Sequence, residues 1–336
     1  MKSGAILSDN ALPRGMQTEF RQSMESWRKL LKRCGRKPSR KSIHTLRVAT
    51  LRLQAAVEYW HNRQQPDAPL GGAVQRWSRQ GKKLRRALGP VRQVDVSLDK
   101  LARMRNWSEP DAGSRPALPK ECLRAIEKIE QSLESRRDVA EKKLAAKIEK
   151  RRKRLNRLSR KVETALEGFM PEKESGAADM IFAQIATVAA EFSPLDSENL
   201  HQFRKRIKSI RYLAEFFAPF DQGAARHAAV LKRMTGAVGE WHDWQALTEE
   251  AARAEQSDAA IARVMELLKA QADRSLEHAL KLCRQSIPRL LNNPANAGDL
   301  RSQRAREPLE KVPRKPVLNV GASHNPALAV RSDRAS

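Results

Sequence analysis

A repeat inside the chain constrains its fold more than any other feature of the sequence. Segment 44–60, from His44 and Arg47 to Glu58, Tyr59 and Trp60, aligns without a gap on 201–217, from His201 and Arg204 to Glu215, Phe216 and Phe217. Both read His-x-x-Arg, ten further residues, then Glu and two aromatics. Downstream, Arg76, Lys82, Lys83 and Gly89 match Arg226, Lys232, Arg233 and Gly239, and Arg92 and Gln93 match His242 and Asp243. Two copies of one multi-helix unit must bury faces of the same kind, which narrows the architectures available.

Apolar residues recur at helical spacing almost everywhere, and no window alternates with the period of a strand. Phe20, Met24, Trp27, Leu30 and Leu31 mark a first helix, which Pro38 ends. Helices are predicted over 41–62, over 70–88 with Gly89 and Pro90 closing it, and from there to about 107. Three prolines and a glycine make 108–119 a loop. From Ile126 to Leu166 an apolar residue returns every three or four positions, with charge on the remaining faces. That pattern suits a projecting coiled-coil arm and continuous packing on the bundle equally. Further helices are expected over 178–192, 199–217, 222–238, 241–255 and 259–291. Beyond 291 the periodicity stops, and 292–336 reads as a disordered basic tail; 1–17 forms an N-terminal tail.

At 100° per residue, His201, Arg204, Lys208, Arg211 and Glu215 share one sector of a helix about 80° wide. Phe203, Ile207, Ile210, Ala214 and Phe217 occupy another, about 120° away. One face packs while its neighbour presents a row of cations, with Tyr212 at the edge. In the first copy the row is thinner: His44, Arg47, Leu51 and Gln54, with Arg52 offset. Cations one helical turn apart can follow successive phosphates, and Arg forks and Lys point charges both suit phosphate oxygens. A solvated charged face is the alternative, but the row adjoins the core stripe and recurs 157 positions later. On the third helix Arg76, Arg79, Lys83 and Arg86 lie nearly opposite the apolar face, where solvent and a site are equally good readings. The densest basic run is Lys150 to Arg154, followed by Arg157, Arg160 and Lys161.

The charge balance agrees: 65 Lys and Arg against 39 Asp and Glu give a net charge of +26, an excess that calls for an anionic partner. Aromatics are 5% of the chain and mostly hold apolar-face positions, so the stacking platform of a single-strand binder is missing. Non-specific nucleic-acid binding through the Arg151 patch and the tail is the second reading. Catalysis finds little support, with no P-loop, no HExxH and no phosphohistidine motif, and the seven His form no metal cluster with Cys or carboxylates. No cofactor or metal is expected. Cys34, Cys122 and Cys283 are isolated, no apolar run approaches a membrane span, and the N-terminus lacks a long apolar leader segment, so a cytoplasmic location is the expectation.

The two His-x-x-Arg helices, with Lys208, Arg211, Tyr212 and Glu215 behind the second, resemble the CHAD family of conserved-histidine α-helical domains. The Gly89 and Gly239 turns, followed by Arg92 and by His242 and Asp243, are similar to that family's second signature. The resemblance covers roughly 18–291, with repeat one at 18–168 and repeat two at 178–291. It implies an all-α fold: two four-helix bundles related by a pseudo-twofold, here with a long helical arm between the repeats and a basic central groove. It also implies non-catalytic binding of inorganic polyphosphate and association with polyphosphate granules. Carried over, the expected contacts are His44, Arg47, Arg52, His201, Arg204, Lys208 and Arg211, joined by Lys82, Lys83, Arg92, Lys205, Tyr212, Lys232, Arg233 and His242. Leu51 and Gln54 stand where the family commonly has Arg, and Gln93 where it has Asp, so the second repeat is expected to carry more of the affinity. No ExExK triphosphatase signature accompanies the domain.

Overall fold

A computed structural model describes residues 15–63, 71–106, 118–167, 176–253 and 259–292. The predicted loop 108–119 and tail 292–336 fall almost wholly outside them. Among the described residues the regular elements are eight helices: α1 (Met16–Arg36), α2 (Arg40–Asn62), α3 (Gly71–Arg105), α4 (Lys120–Glu167), α5 (Ala177–Glu191), α6 (Leu200–Phe217), α7 (Gln222–Ala251) and α8 (Ala259–Leu291).

Local chemistry sets several of these boundaries. Lys37 is extended, the conformation favoured before a proline, and α1 stops there. Ser39 then caps α2: its hydroxyl accepts from the Ser42 amide at 3.1 Å, while the Ser42 hydroxyl accepts from the Ser39 amide at 2.8 Å. Gly176 precedes α5 with φ +80°, a backbone state that glycine adopts without strain. Asp221 accepts from the amides of Ala224 (3.0 Å) and Ala178 (3.1 Å), fastening the start of α7 to the start of α5.

The structure corrects the helix breaks expected from the sequence and decides the alternative left open for the long segment. Neither Gly89-Pro90 nor Gly239 ends a helix, since α3 and α7 run through them as single elements. A mid-helix proline loses its own amide from the ladder and crowds the carbonyl one turn back, at about 3 kcal/mol, and a mid-helix glycine costs about 1 kcal/mol; packing on both sides of each position outweighs these costs. The long segment between the repeats is one continuous helix, and it packs along its length instead of projecting. Its first half, with Cys122, Ile126, Ile129 and Leu133, and its second half, with Leu144, Ile148, Leu155, Val162 and Leu166, enter different cores.

Those cores do not follow the repeats. The larger joins α1 and α2 and the first half of α3 to the second half of α4, α5, α6, the first half of α7 and the end of α8. At its centre Trp27 and Trp77 meet edge to face at 5.8 Å, and the Trp27 indole donates to the Thr50 hydroxyl at 2.8 Å. The smaller is a four-helix end built from Leu98, Leu101 and Met104 of α3, the start of α4, Trp244 and Leu247 of α7, and Ile261, Val264 and Leu268 of α8. Across the middle, α2 packs on α6, α3 on α7 and α4 on α8. The α2–α6 and α3–α7 contacts join helices that the sequence repeat matches, and the first sets the two His-x-x-Arg helices side by side.

Candidate anion-binding site

The α2–α6 contact gives the site its form. Buried Leu46, Leu53, Ala56 and Val57 of α2 and Phe203, Ile207, Ile210 and Ala214 of α6 fix the rotation of each helix. That rotation turns Arg47 toward α3 and Arg204, Lys208 and Arg211 toward α7. Arg47 Nη1 donates to the Arg85 carbonyl at 3.0 Å, and Arg211 Nη1 donates to Thr235 Oγ1 at 2.9 Å. Arg204 lies against α7 at Gly239, where a Cβ would stand 3.2 Å from its Nη2. Glycine at this position is thus explained by the close approach of the guanidinium, not by a turn.

The cations of the two repeats act on one another. Lys208 feels Arg204, Arg47 and Arg211, and His44 feels Arg92, Lys208 and Arg47. Burial, reinforced by these three arginines and opposed by Asp243, pulls the Lys208 ammonium down to about 7. Burial and adjoining cations likewise lower His44 and His201. Asp243, set among Lys100, Arg204, His242 and Arg92, is raised because burial outweighs their attraction. The His201 and His242 rings stand 5.1 Å apart, and their counterparts His44 and Arg92 are coupled in the same way. Tyr212 is buried, with the Arg211 guanidinium 4.3 Å and the Lys208 ammonium 6.0 Å from its ring centre.

Beside this cluster a cleft of about 1000 Å³ opens between α1, α2, α6 and α7, and His44, Arg52 and Lys232 line it. Arg52 reaches across to Glu215 at 2.7 Å, and Glu215 also meets Arg211 at 3.3 Å. Lys205 is exposed next to His201, near Gln202 at 3.4 Å. Lys82 is exposed on α3 and joins none of these contacts.

Lys83 and Arg233 are not brought to the site. Lys83 lies between α3 and α4, and Arg233 in a pocket between α7 and α8 with Arg226 and His227. Successive residues on a helix diverge by about 100°, so Lys232 and Arg233 cannot serve the same place.

One cation absent from the sequence expectation belongs here. Arg85 is coupled to Arg47 and Tyr212, and burial lowers it as it lowers Arg47. It occupies the repeat position of Thr235, and Gln54 occupies that of Arg211. The first repeat thus carries on α3 a charge that the second carries on α6. The spacing held the signal, because Arg85 and Arg92 are seven apart and share a helix face.

The family model of the CHAD domain matches residues 18–252. The chain belongs to the CHAD domain family. Polyphosphate binding is the role known for CHAD domains, which are binding domains and not catalytic ones. No curated protein matches the chain. Among solved structures, PptA from Streptomyces chartreusis is 16% identical over 82% of this chain and 99% of that one, with a TM-score of 0.58. The CHAD domain from the plant Ricinus communis is 18% identical over 85% and 96%, with a TM-score of 0.54. At these identities the likeness bears on the fold, which in this CHAD domain is all-helical. Among the described residues no helix is long and apolar enough to cross a membrane, and no group of three or more His, Cys, Asp or Glu could hold a metal ion.

Proposed function

We propose that this CHAD domain binds inorganic polyphosphate without turning it over, in a basic groove between α2 and α6 flanked by α3 and α7. The observation that carries this reading is the gathering of Arg47, Arg204, Lys208 and Arg211 from both repeats into one half-buried cluster, where burial first and the three arginines second hold the Lys208 ammonium near 7. Among the described residues only Glu215 and Asp243 stand with these cations, so positive charge remains in excess; a polyanion stabilises it, and a file of phosphates offers one negative charge per residue. His44, His201 and His242 donate hydrogen bonds to phosphate oxygens, and Arg52 and Lys232 extend the path into the cleft. Such binding would bring the protein to polyphosphate granules.

The test is titration with polyphosphates of graded length at several salt concentrations, with double-stranded DNA as competitor. Replacing Arg204, Lys208 and Arg211 by Ala should weaken binding about a thousandfold, at about tenfold per lost charge-assisted contact. Far-UV circular dichroism establishes first that the variant is folded. Equal or tighter binding of DNA would instead favour a nucleic-acid-binding protein using the same surfaces. Release of orthophosphate in the presence of Mg²⁺ would overturn the non-catalytic part.

A further inference from the structure

Two basic stretches of the sequence remain outside the groove: Lys83 and Arg86 on α3, and the run around Lys150 on α4. They lie more than sixty positions apart, yet the fold joins them. Lys83, Arg86, Lys147 and Arg151 line one cleft of about 240 Å³ between α3 and α4, with Ala87 as its remaining lining residue. No acid lines the cleft, and none of the four cations makes an ion pair among the described residues. What sets these four apart is that the fold gathers them from two helices into one cleft. Elsewhere on the same helices Arg105 pairs with Glu127 and Glu130, Arg136 with Glu250, and Arg137 with Asp95 and Glu141. The acid nearest in sequence, Glu149, is engaged by Arg152 at 2.8 Å and packs toward Gly35 of α1, so it does not neutralise the cleft.

We infer that the α3–α4 cleft is a second seat for a phosphate chain, separate from the groove, which makes the protein a bivalent polyphosphate cross-linker. The inference rests on the proposed groove reading and adds a second contact to it. Cations from both helices border the cleft, so a single file of phosphates lying along it meets charge on either side. No aromatic lines the cleft, so it has nothing on which bases can stack. Two seats facing different ways cannot both be filled by a short chain. A long chain, or two chains, can fill both, and occupying the second site then links particles.

The test separates tight binding from cross-linking in the full-length protein. The cleft variant carries Lys83→Gln, Arg86→Gln, Lys147→Gln and Arg151→Gln. A control carries Arg124→Gln, Arg263→Gln, Lys269→Gln and Lys281→Gln, exposed positions with the same loss of charge. Short-chain polyphosphate binding is followed by fluorescence anisotropy, and assembly with long-chain polyphosphate by turbidity and light scattering. The cleft variant should keep the parent's groove affinity for the short chain but bind one chain where the parent binds two, and need at least tenfold more protein to reach equal turbidity. The control should match the parent in both. Parental turbidity in the cleft variant, or an equal loss in the control, overturns the second seat. Loss of DNA binding with polyphosphate assembly intact reassigns the cleft to nucleic acid. Failure of the groove reading shows separately, as short-chain binding insensitive to Arg204, Lys208 and Arg211.

Discussion

Lys208 is the residue at which electrostatics and function meet. Its ammonium titrates near 7 in the folded chain against an ordinary 10.5, so between those values the unfolded chain holds more protons. Stability therefore rises with pH from about 7 to 10.5, and below 7 the full penalty of a buried, repelled charge applies. A bound polyphosphate reverses the balance by favouring the charged lysine. Binding near neutral pH should take up a proton, and affinity should fall as pH climbs above 7. His44 and His201, lowered by burial and adjoining cations, add to the same trend on the acid side. Calorimetry in buffers of different ionisation enthalpy counts the protons, and no uptake at pH 7.5 would contradict this account. Lys208→Met should raise the thermal midpoint while weakening polyphosphate binding about tenfold, the trade-off expected where a charge is kept for a ligand.

At the scale of elements, the two mid-helix glycines make contrasting predictions. Gly239→Ala adds about 1 kcal/mol of helix propensity but puts a methyl 3.2 Å from Arg204 Nη2, so the guanidinium must shift. The variant should melt higher and bind polyphosphate several-fold more weakly. Gly89 has nothing within 4 Å of the same methyl, so Gly89→Ala should gain stability with affinity unchanged. Paired melting curves and titrations check both. The same glycines mark what the sequence could and could not disclose. Helical periodicity and the His-x-x-Arg repeat were legible, because burial of Phe203, Ile207 and Ile210 leaves a local period. The helix breaks assigned to Gly89-Pro90 and Gly239 were not real, because local propensity was read where tertiary packing decides. Lys83 and Arg233 entered the expected site through alignment alone, and the 100° between helical neighbours removed them. Arg85 was overlooked because it has no charged counterpart in the other repeat.

For the molecule as a whole, the repeats are units of sequence and not units of stability. The larger core draws on both, and the smaller needs α3 and α4 as much as α7 and α8. A fragment of residues 176–292 holds a full second repeat but only part of each core. It should show no cooperative melt by near-ultraviolet circular dichroism, where the intact chain shows one. A sharp transition in the fragment would contradict the shared-core description. The exchange of Arg85 and Thr235 for Gln54 and Arg211 has a broader meaning. Scored column by column, the first repeat looks degenerate, an old copy losing its ligands. Scored by location in space, it sets on the adjoining rod a positive charge in place of the one Gln54 lacks, while Leu51 leaves Lys208 without a match. What an anion meets is the field such a surface delivers, and one field can be built from more than one set of donor addresses.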